Sequence, residues 1–369
     1  VRKKIFFYGL MVVFSLAGGG FYLSSNSKAD CRTQGRERIS MMTFNVENLF
    51  DTKRNIDPTK DDSTYLPIAL KNTKKHIEHC SRQSVAKWRR ECLRLDWSEE
   101  TLEKKLALIA EAILQVDNGR GPDIVFLQEV ENRYVLERLS KMFLSAAGYK
   151  EIVLRPGRDA RGINVAVLTR LPLASAPVLH LDPDFETVTG ERGILETTLI
   201  LPDGENLTTY VLHLPSQFNP PETRERVLTR LRDLQKAHPP EAMVIAAGDF
   251  NISKREEGNL KLLKRLVEPH WLVAHRLGCT DCKGTYYYGR QDEWSFFDMI
   301  LAAPSLAPNA RLATPWKILP CSVRIANSAV EQSGPDDTPK AFNPNDGSGT
   351  SDHWPLVVEI EAVQSRMAN

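Results

Sequence analysis

The sequence has no charge imbalance to speak of: 48 basic residues stand against 47 acidic ones, a formal net charge of +1. A chain this close to neutral has no global field with which to gather polyanions, so any contact with nucleic acid must be local. With 42% hydrophobic and 26% charged residues it also lacks the composition of a disordered chain, a collagen or a multi-span membrane protein. Its 21 glycines and 22 prolines leave no long linker, and no internal repeat is present. The 369 residues suffice for one large domain or two ordinary ones, and no break marks a boundary between two.

Acidic residues are missing from the first 29 positions, which hold Arg2, Lys3, Lys4 and Lys28. Without that segment 44 basic residues face 47 acidic ones, a net charge of −3. Arg2-Lys3-Lys4 precede an uncharged run of 19 residues, Ile5 to Leu23, followed by small residues at Ser27 and Ala29. This order predicts a secretory signal cut after Ala29. The run is long for that role, and at ~1.5 Å per residue it nearly spans a bilayer. An anchor in the inner membrane, its basic end in the cytoplasm, is therefore the competing reading. Both place residues 30–369 outside the cytoplasm, periplasmic or secreted, as one domain. Cys31 has no Leu three positions before it, so no lipoprotein signal is read.

Six cysteines then predict disulfides. Cys80 and Cys92 are expected to pair and close part of a polar insertion. Cys279-Thr-Asp-Cys282 is read as a local disulfide, or one member pairs with Cys321. A zinc site with His275 is the weaker alternative, because there is no second Cys pair.

Strand and helix patterns alternate. Strands are expected at 38–46, 123–127, 162–169, 194–201, 207–214, 243–247, 296–302 and 356–360. Helices are expected from Ser98, as cap, along the stripe Leu102, Leu106, Ile109, Ile113 and Leu114, and over 132–147, 221–237 and 256–266. Residues 51–97 read as a polar, irregular insertion, and 326–350 as one long mobile loop. The pattern is that of α/β layers, with sheets covered by helices.

Polar residues sit where these strands end. Asn45 and Glu47 follow the first, Gln128-Glu129 end the second, His213 ends a third and Asp249-Phe-Asn251 a fourth. Asp298 lies in the Phe296–Ala302 run, and Ser351-Asp352-His353 precede the last strand. Taken singly, each is best explained as a turn residue, a helix cap or a satisfied structural histidine. Together they put several carboxylates beside apolar runs, where burial is costly unless they are paired or metal-bound. Strand ends converging on one rim are how α/β folds build sites.

This series resembles the endonuclease/exonuclease/phosphatase superfamily: Thr43-Phe-Asn45-Val-Glu47-Asn48, Leu127-Gln128-Glu129, His213-Leu214, Gly248-Asp249-Phe250-Asn251, Asp298 and Ser351-Asp352-His353. It is most similar to the bacterial branch that opens with Phe-Asn-Val-Glu-Asn-Leu-Phe-Asp, here Phe44 to Asp51, and it covers roughly residues 38–361. The resemblance implies a four-layer α/β sandwich, two packed mixed β-sheets flanked by helices, and divalent-metal hydrolysis of a phosphate ester. It implies Glu129 and Asp352 as ligands of Mg²⁺ or Mn²⁺, helped by Asn45 and Glu47, an oxygen-only set such ions prefer. Asp249 is assigned to orient and deprotonate the attacking water, held by Asn251 and Asn45. His213 and Asn251 would donate to the phosphoryl oxygens. His353, oriented by Asp298, would act as general acid–base or as a charged phosphate clamp.

Asn164 stands where that branch usually has Asp. Arg161 and Arg192 are candidates for substrate phosphates or for ordinary ion pairs. Tyr286-Tyr287-Tyr288 with Trp294 are candidates for stacking, although most are expected to be core or strand residues. Lys71, Lys74, Lys75, Lys87, Arg89 and Arg90 form a modest basic patch, or a solvated face. The expected function is an exported, monomeric phosphodiesterase acting on DNA or RNA. A phospholipid or phosphoinositide phosphoesterase is the second reading, and a catalytically silent binding module on the same fold the third.

Overall fold

Every residue from Ile39 to Val46 is buried, the pattern of a strand covered on both faces. That strand, β1 (Arg38–Leu49), opens the fold in a computed structural model that describes residue 31 and residues 36–182, 190–310 and 314–363. Helices α1 (Lys74–Ser81), α2 (Ala86–Arg94) and α3 (Glu99–Leu114) follow, then β2 (Ile124–Val130), α4 (Arg133–Arg138), β3 (Glu151–Leu154) and β4 (Asn164–Thr169). Next come β5 (Val178–His180), β6 (Ile194–Ile200), β7 (Asn206–His213), α5 (Pro221–Lys236), β8 (Met243–Asp249), α6 (Lys254–Leu260), β9 (Leu272–Val273) and α7 (Ala274–Gly278). A hairpin of β10 (Tyr286–Tyr288) and β11 (Glu293–Ser295) precedes β12 (Asp298–Ala302), β13 (Trp316–Ile325) and β14 (Leu356–Ala362).

Two mixed six-stranded sheets result, ordered β13-β14-β1-β2-β4-β3 and β5-β6-β7-β8-β12-β9. Each contains one parallel pair, β1 with β2 and β7 with β8. Strand periodicity sorts the core into three layers. Met42, Phe44 and Val46 pack under α3 and α4; Ile39 and Met41 meet Ile245, Ala247 and Val211 between the sheets; Val244 and Ala246 pack under α5. This is the expected four-layer sandwich.

The eight expected strands and the four expected helices are present, with two interruptions. The helix begun at α4 widens over 139–143, and the one over 256–266 breaks at Lys261, which has φ of 55°. Strands β3, β5 and β9 were too short to be read. Strand β13 was hidden by Pro320, which this edge strand tolerates at a register shift between Leu319 and Arg324.

The segment 51–97 is irregular only in its first half, residues 51–73, where two single turns of 3-10 helix stand. The second half folds into α1 and α2, joined by the Cys80–Cys92 disulfide, and the segment is anchored by Tyr65, which stacks on Phe50 with centroids 4.3 Å apart and meets the buried Trp97 edge-on. Residues 326–350 contain only isolated bridges, but buried Gln332 and Phe342 fasten them to the body. Cys279 pairs with Cys282, so no thiolate is left for zinc there, and buried His275 stacks on Phe296 at 4.0 Å instead. Cys321 pairs with Cys31, a partner the sequence reading did not consider. Residues 5–23 and the Ala29 site lie outside the described residues. Among the described residues, no helix is long and apolar enough to cross a membrane.

Gly248, directly before Asp249, has φ of 153°, and a Cβ there would sit 1.9 Å from the Leu212 carbonyl oxygen on the adjoining parallel strand. The Gly248→Ala chain is expected to lose ~3 kcal/mol or more of stability, read from the urea midpoint, because backbone has to move apart.

Candidate active site

The same periodicity that fills the space between the sheets also builds the site. Asn45 continues the face of Ile39 and Met41, His213 that of Leu207 and Val211, and Asp249 that of Met243, Ile245 and Ala247. Asp298 opens the face carried on by Ile300 and Ala302. The apolar filling therefore ends, at one rim, in polar residues from four strands. Within the second sheet, His213 and Asp298 are the direct register partners of Asp249 on either side.

Asp249 is 1% exposed and is held from all sides. Asn45 Nδ2 donates to its Oδ2 at 2.9 Å, the Asn251 backbone N–H to Oδ1 at 2.8 Å, and Asn251 Nδ2 to Oδ2 at 3.2 Å. His213 Nε2 lies 3.3 Å and His353 Nε2 4.0 Å from the same Oδ2. Burial pushes the Asp249 pKa up to about 7; His353 and Asn45 oppose this, and Asp298 adds to it. Asn251 Nδ2 donates its second hydrogen to the Leu214 carbonyl at 3.1 Å. Both its amide hydrogens are thus committed, so the expected donation from Asn251 to a phosphoryl oxygen is replaced by a role in holding Asp249.

The two histidines are set in opposite states. His353 Nδ1 meets Asp298 Oδ2 at 2.7 Å, which leaves Nε2 facing the site. Burial alone would lower its pKa, but Asp298, Asp352 and Asp249 hold it well above the usual histidine value. Burial, then Arg192, Arg161 and His353, hold His213 well below it. These surroundings favour the charged form of His353 and the neutral form of His213.

The carboxylates stand on strained backbone. Glu47, Asn48, Glu129 and Asn251 all have positive φ, between 49° and 66°, in a region non-glycine residues seldom occupy. Register shifts in β1 and β2 accompany them and turn Glu47 and Glu129 toward the rim. Glu129 Oε2 accepts from the Asn48 N–H at 2.8 Å. Glu47 Oε2 accepts from the Phe342 N–H at 2.8 Å and lies 4.0 Å from Lys105 Nζ. Burial, then Asp352, raise the Glu47 pKa to about 8 even though Lys105 opposes them. Asp352, its side chain 43% exposed, stands 4.0 Å from His353 Nε2 at the open side. Asn45, Glu47, Glu129 and Asp352 offer only oxygen donors, the chemistry a hard divalent cation takes, and Asp352 and Glu129 add to the burial that raises Glu47.

Lys105 escaped the sequence reading. It is fully buried on α3, donates to the Thr350 carbonyl at 2.7 Å and lies 4.8 Å over the Phe342 ring. The signal was present: Lys105 falls between Leu102 and Ile109 on the apolar stripe, where a charge needs a partner. Ser351 Oγ donates to the Asn45 carbonyl at 2.7 Å and ties the Ser351-Asp352-His353 turn to β1.

Other candidates are redistributed. Arg192 is buried and paired with Asp159 at 2.9 Å, whereas Arg161 is half exposed beside Asn48. Asn164 spends its amide on the backbone of Gly157, Glu131 and Gly162. Tyr286 stacks on Phe297 at 4.4 Å next to His353, and Tyr287 and Trp294 pack together. Lys71 leaves the basic patch, since it is buried and bonded to the Thr64 carbonyl at 2.7 Å.

No curated protein matches the chain in sequence. Among solved structures, D. rerio TDP2 humanized by 14 mutations aligns with a TM-score of 0.54 at 17% identity, over 88% of this chain and 98% of that one. An endonuclease/exonuclease/phosphatase from Beutenbergia cavernae aligns at 0.53 and 16% identity, over 89% and 72%. A protein of that family from Bacteroides thetaiotaomicron aligns at 0.51 and 13% identity, over 90% and 100%. At such identities the likeness is one of fold. The sequence itself goes further: residues 92–362 match the endonuclease/exonuclease/phosphatase family, and the chain belongs to that family.

Proposed function

We propose that the chain is a divalent-metal-dependent phosphodiesterase whose substrate is nucleic acid. The observation that carries this reading is the buried Asp249, cradled by Asn45 and Asn251 and facing the His353–Asp298 pair, beside a set of oxygen-only donors. Asn45, Glu47, Glu129 and Asp352 would hold Mg²⁺ or Mn²⁺. Once bound, the cation supplies charge neutralisation at the phosphoryl and leaving oxygens.

The protein groups divide the remaining work. Asp249, with a pKa near 7, is suited to accept the proton of an attacking water at its carboxylate. His353, charged and fixed through Nδ1, presents its Nε2–H to a phosphoryl oxygen as negative charge develops there. His213 Nε2 keeps the Asp249 carboxylate turned toward the water. Local charge supports this substrate class. Residues 74–94, covering α1 and α2, hold seven basic and two acidic residues in a chain whose net charge is only +1. Three disulfides suit an oxidising compartment and favour export, with residues 1–29 as the signal or anchor.

Turnover of plasmid, single-stranded DNA and RNA is expected with Mg²⁺ or Mn²⁺ and not with EDTA. Hydrolysis of sphingomyelin or a phosphoinositide alone would keep the site and overturn the nucleic-acid substrate. Asp249→Asn should lower turnover by ~10³-fold or more. Its stability should behave differently. A carboxyl whose pKa is raised on folding binds its proton more tightly when folded, so stability falls as pH rises from the unfolded value near ~4 to about 7. Thermal melts of metal-free Asp249→Asn should therefore decline less steeply over that range than those of the wild type. Metal binding must displace the Glu47 proton, so calorimetric affinity for Mg²⁺ should rise up to about pH 8 with proton release, and Glu47→Gln should flatten the dependence.

A further inference from the structure

Two exposed aromatic side chains meet at the rim from opposite halves of the fold. Trp88, on α2, belongs to the connection that leaves β1; Phe218 belongs to the connection that leaves β7 directly after His213. Their rings lie 5.8 Å apart at 76°, yet Trp88 is 43% and Phe218 87% exposed. An edge-to-face contact of this kind leaves most of each ring face open to a third ring.

Both supports are rigid. Helix α2 is locked to α1 by the Cys80–Cys92 disulfide. On the other side, buried Arg224 donates to the carbonyls of Ser216 at 2.8 Å and Asn219 at 3.3 Å, flanking Phe218. Gln217 donates to the Asn251 carbonyl and, at 2.8 Å, to Glu256. Phe218 is thus one residue from a side chain bonded to the Asp249 cradle. A surface that spends a buried arginine and a disulfide on holding two rings in water is preorganised for something flat. The charges around Trp88 say what kind of ligand: Lys87, Arg89 and Arg90 adjoin it on α2.

We propose that Trp88 and Phe218 form a stacking clamp for the unpaired bases of a single-stranded nucleic acid, whose phosphates lie along the basic α1–α2 segment. The proposal rests on the nucleic-acid reading above and deepens it. Stacked duplex bases present no free face to such rings, whereas single-stranded bases do.

The test compares two octamers of equal charge, oligo-dT and an abasic oligomer, by fluorescence anisotropy. The full disulfide-bonded chain is used as Asp249→Asn with Mg²⁺, and as wild type in EDTA. Trp88→Ala and Phe218→Ala should each weaken oligo-dT binding ~10-fold and leave the abasic octamer unchanged, with Trp88→Phe restoring most of the loss. Arg89→Ala with Arg90→Ala should weaken both octamers. Equal losses on both octamers from the aromatic variants, or none, would overturn the clamp while leaving the nuclease reading in place. Binding of neither octamer by the parent chain would also overturn the clamp, and joined to an absence of plasmid and RNA turnover it would overturn the nuclease reading.

Discussion

The structure depends on keeping one carboxylate, that of Asp249, dehydrated at the edge of a hydrophobic interior. Placing it there is unfavourable, and the raised pKa records the cost. What offsets it arrives from both sheets: Asn45 from the first, and His213, Asn251 and the His353–Asp298 pair from the second and the closing turn. The two sheets therefore cannot slide or separate without stranding a buried charge. The packing that makes the domain stable and the geometry around Asp249 are enforced by the same contacts.

Much of this was legible beforehand, for reasons that lie in strand physics. Long, doubly buried strands such as β1, β2 and β8 announce themselves by continuous apolar runs, and a polar residue at the end of such a run is conspicuous. The family match begins at residue 92, so the Asn45 and Glu47 motif lies outside it. What could not be read was long-range. Nothing adjacent to Cys31 points to Cys321, 290 residues away. Lys105 stands out on the apolar stripe of its helix, but its partner, the Thr350 carbonyl 245 residues away, could not be read. The commitment of the Asn251 amide depends on the Leu214 carbonyl, which only the parallel pairing of β7 and β8 brings close.

The segment 51–97 shows how charge density misleads. Read for polarity alone it is an excursion of the surface; folded, it has an aromatic foot of Tyr65 and Trp97 set into the first sheet's helix layer. Its polar residues over 74–94 are the outer face of a small cross-linked unit rather than a sign of irregularity. Lysines and arginines there are spaced for helices, and the missing clue was the apolar foot on which they stand.

The direction of β1 has a topographic consequence. It runs from Arg38 to the rim at Asn45, and its antiparallel partner β14 runs back from beyond His353 to Ala362, with Arg38 opposite Glu361. At ~3.3 Å per residue, the Arg38 end lies more than ~20 Å from the rim. Chain entering at residue 36 and chain leaving at residue 363 therefore emerge together, on the face opposite the candidate site. A tether, tag or fused partner attached at residue 36 or 363 would orient the opening outward, like a lamp on a stalk, and leave its approaches clear.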